Sequence, residues 1–165
     1  MVPLIVLIVV TGLARVAGMF GVASLRDWAG CARVGLAVMF VFTAVAHFNS
    51  MRQDIIAMVP PWVPNAALAV TLTGIAEILG AIGLLVPRTR RIAAVALILF
   101  MLAVLPANIH AATAGVTLRG APPTPLVPRI LLQAFFIAVV WWAGFRQAAP
   151  QAEAMLPPAT DRSVG

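Results

Sequence analysis

The chain has 165 residues, of which 62% are hydrophobic and only 10% charged, where a soluble domain carries roughly 25% charged residues. With a mean hydropathy of +1.05 it lacks the polar surface a water-soluble fold needs, so the solvent for most of it is lipid. Its formal charge of +6 rests on arginines alone; they sit in breaks between apolar runs, which excludes a nucleic-acid partner and fits the positive-inside bias of membrane proteins. Cys31 is the single cysteine, which excludes an intrachain disulfide, a CxxC redox pair and a cysteine zinc cluster. No GxGxxG, Walker loop, HExxH or GxSxG motif occurs, so the enzyme classes that announce themselves by such motifs drop out.

Five apolar runs follow one another, each near the roughly 20 helical residues a bilayer requires. The first covers 2–25 and contains Arg15; it is too long, and lacks the basic start, for a signal peptide. The second covers 32–48, the third 65–86, the fourth 92–112 and the fifth 129–145. Prolines mark the breaks: MVPPWVP (58–64) ends the loop before the third run, Pro87 closes that run, and APPTPLVP (121–128) precedes the fifth. The expected architecture is therefore all-α and polytopic, one transmembrane domain over 1–146, followed by a polar, disordered tail over 147–165.

Orientation follows from the arginines. Arg26, Arg33, Arg88, Arg90, Arg91, Arg146 and Arg162 fall on one side, and Arg52, Arg119 and Arg129 on the other. The excess puts the 89–91 loop and the C-terminus in the cytoplasm, and the N-terminus outside if the first segment spans.

This topology gathers scattered polar residues at one level. His47 and Asn49 close the second run at its outer end; Asn108 and His110 lie near the outer end of the fourth; Arg129 and Gln133, one turn apart, open the fifth. Glu77 lies about 18 Å into the third run at 1.5 Å per residue, near the midplane, and Arg15 is expected at similar depth. Gly74, Glu77, Gly80 and Gly83 recur every third residue, a small-residue stripe that turns Glu77 toward other helices. A carboxyl there must be neutral, paired with Arg15, or bonded to a polar neighbour. Glu77 then reads as the floor of a cavity rimmed by His47, Asn108, His110, Arg129 and Gln133, with Trp62 beside it. The plainer readings are a buried Arg15–Glu77 pair that fixes helix register, interfacial histidines, an Asn108 that serves the Leu102 carbonyl orphaned by Pro106, a snorkelling Arg129, and tryptophans of the aromatic belts.

The ordered motifs AHF (46–48), MVPPWVP (58–64), TGIAEILGAIGLLVP (73–87), TRRIAA (89–94), LPANIH (105–110) and PRILLQ (128–133) closely resemble the DoxX-like family of small bacterial membrane proteins, over about residues 32–146. The resemblance implies a DoxX-like four-helix bundle in the bacterial inner membrane, with one extra N-terminal transmembrane helix. It also implies a shared site at Glu77 and the PAN of 106–108, and an association with quinone-linked membrane redox complexes.

Four functions remain open at this point. The first is a lipophilic ligand of quinone or isoprenoid type held by Glu77, Asn108, Arg129, Gln133, His47 and Trp62, in an accessory subunit of a redox or lipid pathway. That role calls for a separately encoded redox partner or a homo-oligomer, because the chain has no redox motif of its own. The second is a cofactor-free acid–base enzyme, an isomerase, cyclase or epoxide-opening enzyme, using Glu77 with His47 or His110. The third, haem b held between His47 and His110, has no supporting motif. The fourth, transport, lacks an inverted repeat.

Overall fold

The computed structural model describes residues 2–117, 120–121 and 125–146. The expected tail over 147–165 and Arg119 lie outside the described residues. The described chain is helical: α1 (Val2–Met19), a single 3-10 turn (Ala23–Leu25), α2 (Trp28–Ala46), α3 (Arg52–Met58), α4 (Ala66–Leu85), α5 (Arg90–Ala103), α6 (Leu105–Thr113) and α7 (Leu126–Phe145). Helices α1, α2, α4, α7 and the α5–α6 stretch are each long and apolar enough to cross a membrane. Large apolar side chains such as Ile8, Leu13, Leu79, Ile92, Leu99 and Leu131 are more than half exposed on the outside of these helices, the arrangement lipid favours and water penalises.

Helices α2, α4, α5 and α7 pack as a closed ring in that order, and α1 lies outside it against α2. Neighbours in the ring run antiparallel. The end of α2 meets the start of α4 at His47 and Gly74, the end of α4 meets the start of α5 at Gly83 and Ala93, and the start of α7 bonds the end of α5 through Gln133 and Met101. The ring closes where Arg33, early in α2, reaches the end of α7. Across the ring, α4 therefore faces α7. The core between them is made of Leu36, Met39, Phe40, Leu84, Leu97, Met101, Phe136 and Val140.

Helix ends follow local chemistry. Asn65, after Pro64, adopts a left-handed conformation (φ 55°) and its side-chain oxygen accepts the Leu68 N–H at 3.0 Å, an N-cap that starts α4. Asn49 accepts the Met51 N–H at 2.8 Å in the turn just before α3; this short helix lies in the loop expected between the second and third apolar runs. Helix α1 stops at Met19, six residues short of the expected limit, because Gly21 turns the chain at φ 104° and the 3-10 turn folds back over Gly18. Arg15 therefore lies toward the C-terminal end of α1, just before its last turn, and not in the middle of a span.

The small-residue stripe of α4 packs inward as its spacing predicts. A Cβ on Gly74 would lie 2.8 Å from both His47 Cβ and the Phe48 ring, and one on Gly80 would strike Leu97. His47 Cβ is tied to backbone and cannot swing aside. Gly74→Ala is therefore expected to force α2 and α4 apart and cost about 1–3 kcal/mol, read as a lowered unfolding midpoint in detergent. Gly12→Ala on α1, where nothing lies within 4 Å, should be neutral or stabilising by about 0.5–1 kcal/mol.

Candidate functional site

The helix ends just described leave a cavity of about 880 Å³ at one end of the bundle. Its walls come from the start of α1, the second half of α2, the first half of α4, the α5–α6 junction and the start of α7; α3 and residues 59–63 lie across its mouth. Most of the lining is apolar, including Met39, Phe40, Ile55, Met101 and Phe136. The opposite end of the bundle holds Arg15, Arg26, Arg33 and Arg90, so the cavity sits at the arginine-poor end.

Polar groups reach the cavity from two walls. On the α2–α4 wall, Glu77 is 7% exposed and one of its oxygens, Oε2, has no hydrogen-bond partner. His47 Nδ1 stands 3.9 Å from that oxygen, beyond hydrogen-bond range, and 3.3 Å from the Thr43 carbonyl. A carbonyl only accepts, so Nδ1 carries the proton and Nε2 is left with its lone pair in the neutral ring. Thr43 lines the cavity beside them, and its hydroxyl donates to the Met39 and Phe40 carbonyls at 3.2 and 3.0 Å.

On the α6–α7 wall, three side chains form a directed chain. Arg129 Nη1 donates to Asn108 Oδ1 at 3.2 Å, Asn108 Nδ2 donates to Gln133 Oε1 at 3.3 Å, and Gln133 Nε2 donates to the Met101 carbonyl. The helix break between α5 and α6 explains the last bond. Pro106 has no N–H to continue the ladder, the chain kinks at Val104, and Gln133 serves a carbonyl beside the kink. Asn108 takes no part in serving the Leu102 carbonyl; its side-chain amide is engaged by Arg129 and Gln133.

Of the residues singled out from sequence, Glu77, His47, Asn108, Arg129, Gln133 and Trp62 all line this cavity. Two others do not. His110 lies half-buried on α6 outside the lining, so the structure does not bring it together with His47 or Glu77, whether for acid–base work or for haem. Arg15 does not pair with Glu77. It donates to the Arg26 carbonyl at 2.6 Å and stacks 5.3 Å above the Trp28 ring, because α1 ends early and carries it to the arginine-rich end.

Sequence reasoning used Arg52 and Arg33 only as topology markers, and both prove structural. Arg52 donates to the His47 carbonyl, the Ala67 carbonyl and the Thr71 hydroxyl, each at 2.9 Å, and so holds the end of α2 to the start of α4 beside the cavity. Arg33 is buried and donates to the Ala143 and Arg146 carbonyls at 2.8 and 2.6 Å. The structural difference for Arg33 is its depth: α2 begins at Trp28, not near residue 32, which puts the arginine more than a turn inside the helix instead of at its very start. Thr43 carried no signal at all.

A family model described as Domain of unknown function (DUF8561) matches residues 36–144. The match takes in most of α2 and α7, all of α3 to α6, and every polar residue named on the cavity walls. No curated protein and no solved structure matches the chain.

Proposed function

The chain belongs to the DUF8561 family, and for the bundle that defines the match we propose a binding role: its cavity holds a lipophilic small molecule with a polar head, of quinone or isoprenoid type. The observation that carries this reading is a cavity of about 880 Å³, within the usual range for small-molecule sites, with an apolar lining and polar groups converging from opposite walls. The apolar lining would take the tail, and Arg129 with Asn108 would bond a head-group oxygen. The positive-inside bias supports an orientation with the arginine-rich end in the cytoplasm and the cavity toward the outer leaflet. The DoxX-like resemblance supports a bacterial plasma membrane and a place beside a separately encoded redox partner, since the sequence carries no redox motif.

Native mass spectrometry of the detergent-purified protein beside Arg129→Ala tests the binding role. A discrete small-molecule adduct is expected on the native protein. Loss of a charge-assisted hydrogen bond should reduce its occupancy about tenfold or more in the variant. Equal occupancy in both proteins would overturn the reading.

One observation favours a second reading. Glu77 and His47 stand 3.9 Å apart in the cavity, which suits an acid and a base working on the same lipophilic substrate without a cofactor. On that reading Glu77→Gln abolishes turnover and leaves the fold intact, and an active variant removes it.

A further inference from the structure

We propose that the outer face of the α5–α7 seam binds one anionic phospholipid of the leaflet that borders the arginine-rich end. Its phosphate would sit on Arg91 and Arg146, and one acyl chain would lie along α5. This site opens at the end of the bundle opposite the cavity and does not depend on what the cavity holds.

A groove of about 450 Å³ runs down this seam, lined by Arg91, Ile92, Val95, Ala96, Leu99 and Phe145. Arg91, Val95 and Leu99 follow one another at i+4 on one face of α5, with Ile92 and Ala96 beside them. Ala96 makes the floor: its small side chain leaves a dip between Ile92 and Leu99, which are 72% and 61% exposed. Phe145 comes from α7, and its ring is held by a stack on Trp141 with centroids 4.3 Å apart. From Arg91 to Leu99 the groove descends about 12 Å at 1.5 Å per residue, close to the depth of one leaflet in a hydrocarbon core about 30 Å thick. An acyl chain matches that length and polarity; a free anion would leave the groove empty.

The mouth of the groove is cationic and lacks a counter-charge. Arg91 lines it, Arg146 directly follows Phe145, and Arg88 and Arg90 flank the start of α5. Among the described residues none of these four forms an ion pair with a carboxylate, and Arg90 Nε has no partner at all. Asp27, the one described acid at this end, stands at the start of α2. The start of α5 adds charge of the same sign. A helix N-terminus carries partial positive charge and favours acids in its first turn, whereas this one holds Arg90 and Arg91 and no acid. The Thr89 hydroxyl does not cap it, donating instead to the Gly83 and Val86 carbonyls.

A phosphodiester answers this arrangement, because guanidinium forks pair phosphate oxygens and basic groups between helices favour anionic headgroups. Arg91 and Arg146 are both exposed, within reach of a headgroup at the bilayer surface. Arginines alone would attract any anionic surface; the groove beside them is what fixes a single lipid.

The test offers the full chain in detergent equal concentrations of dioleoyl phosphatidylglycerol and dioleoyl phosphatidylcholine, which share chains and a phosphate and differ in net charge. Native mass spectrometry reads the lipid retained by the native protein, Arg91→Gln/Arg146→Gln, Ala96→Leu and Arg26→Gln. All four positions are exposed, and circular dichroism checks that each variant keeps its helices. Phosphatidylglycerol should exceed phosphatidylcholine on the native protein by about tenfold. The double glutamine variant should bring that ratio to about one. Ala96→Leu should lose the retained lipid although every arginine is kept, and Arg26→Gln, on the α1 side of the same end, should behave as the native protein. Equal retention of the two lipids by the native protein overturns the site. So does a preference that survives Ala96→Leu or the double variant, or one that Arg26→Gln removes as well, since these mark general attraction to the charged end. None of these outcomes alters the case for the cavity.

Discussion

Replacing Arg33 with methionine should destabilise the bundle by about 2–4 kcal/mol, the range for stripping a charged donor from buried acceptors. The last four carbonyls of any helix have no partner inside it, and a membrane offers little water to serve them. In α7 this need is met from another helix, since Arg33 Nε bonds Ala143 and Nη2 bonds Arg146. Arg33 is only 5% exposed, so removal of its guanidinium leaves the Ala143 carbonyl buried and bare. The contact also joins residues 110 positions apart and closes the ring between its first and last helices. Unfolding of the purified protein by sodium dodecyl sulfate, followed by circular dichroism, measures the loss. Arg33→Lys should recover part of it, because one ammonium reaches one carbonyl more readily than two. Arg91→Met, at an exposed position at the same end, should stay within about 0.5 kcal/mol of the native protein. A methionine variant as stable as the native protein would show that the α7 terminus is served by solvent instead.

The second large effect is expected at Gln133. Its amide performs two tasks at once, donating to the Met101 carbonyl at the α5–α6 break and accepting from Asn108. Leucine fits the same half-buried position but does neither, so two polar groups lose partners and the expected cost is about 2–3 kcal/mol. Because Asn108 and Gln133 share a bond, their effects should not add: the double variant Asn108→Ala/Gln133→Leu should be less harmful than the sum of the singles by about 0.5–1 kcal/mol. Amide exchange should quicken around Val104 and Leu105, where the kink loses its support. Ligand retention should fall in parallel, since Asn108 no longer has a fixed orientation toward Arg129. Additive single effects would show that the chain of three side chains is not a unit.

The cavity residues show where sequence reasoning succeeds and where it stops. Glu77 stood out because a carboxylate in an apolar, glycine-spaced run is expensive unless the helix turns it inward. The i+3 spacing of Gly74, Glu77, Gly80 and Gly83 then placed it on the packed face, as the contacts of Gly74 and Gly80 show. His47, Asn108, Arg129 and Gln133 were legible for a related reason: alternating crossings put the end of one run level with the start of the next. Arg15 misled because depth was counted along an uninterrupted span, whereas a turn at Gly21 ended the helix first. His110 shared the right level with His47 but sits outside the cavity lining; height along a helix is read from spacing, and rotation about it depends on the kink at Pro106.

By itself the sequence determined the solvent, the number of apolar segments, their alternating direction and the level at which polar residues meet. Those follow from composition, segment length and charge bias, each a local property of the chain. Only the tertiary structure decided which polar atoms satisfy one another: Arg33 on the end of α7, Arg52 between α2 and α4, and the directed chain from Arg129 to Met101. Hydrogen bonds are short-ranged and directional, so their pairing depends on how each helix is rotated against its neighbours. That rotation is set by contacts between residues far apart in the chain, which no local pattern records.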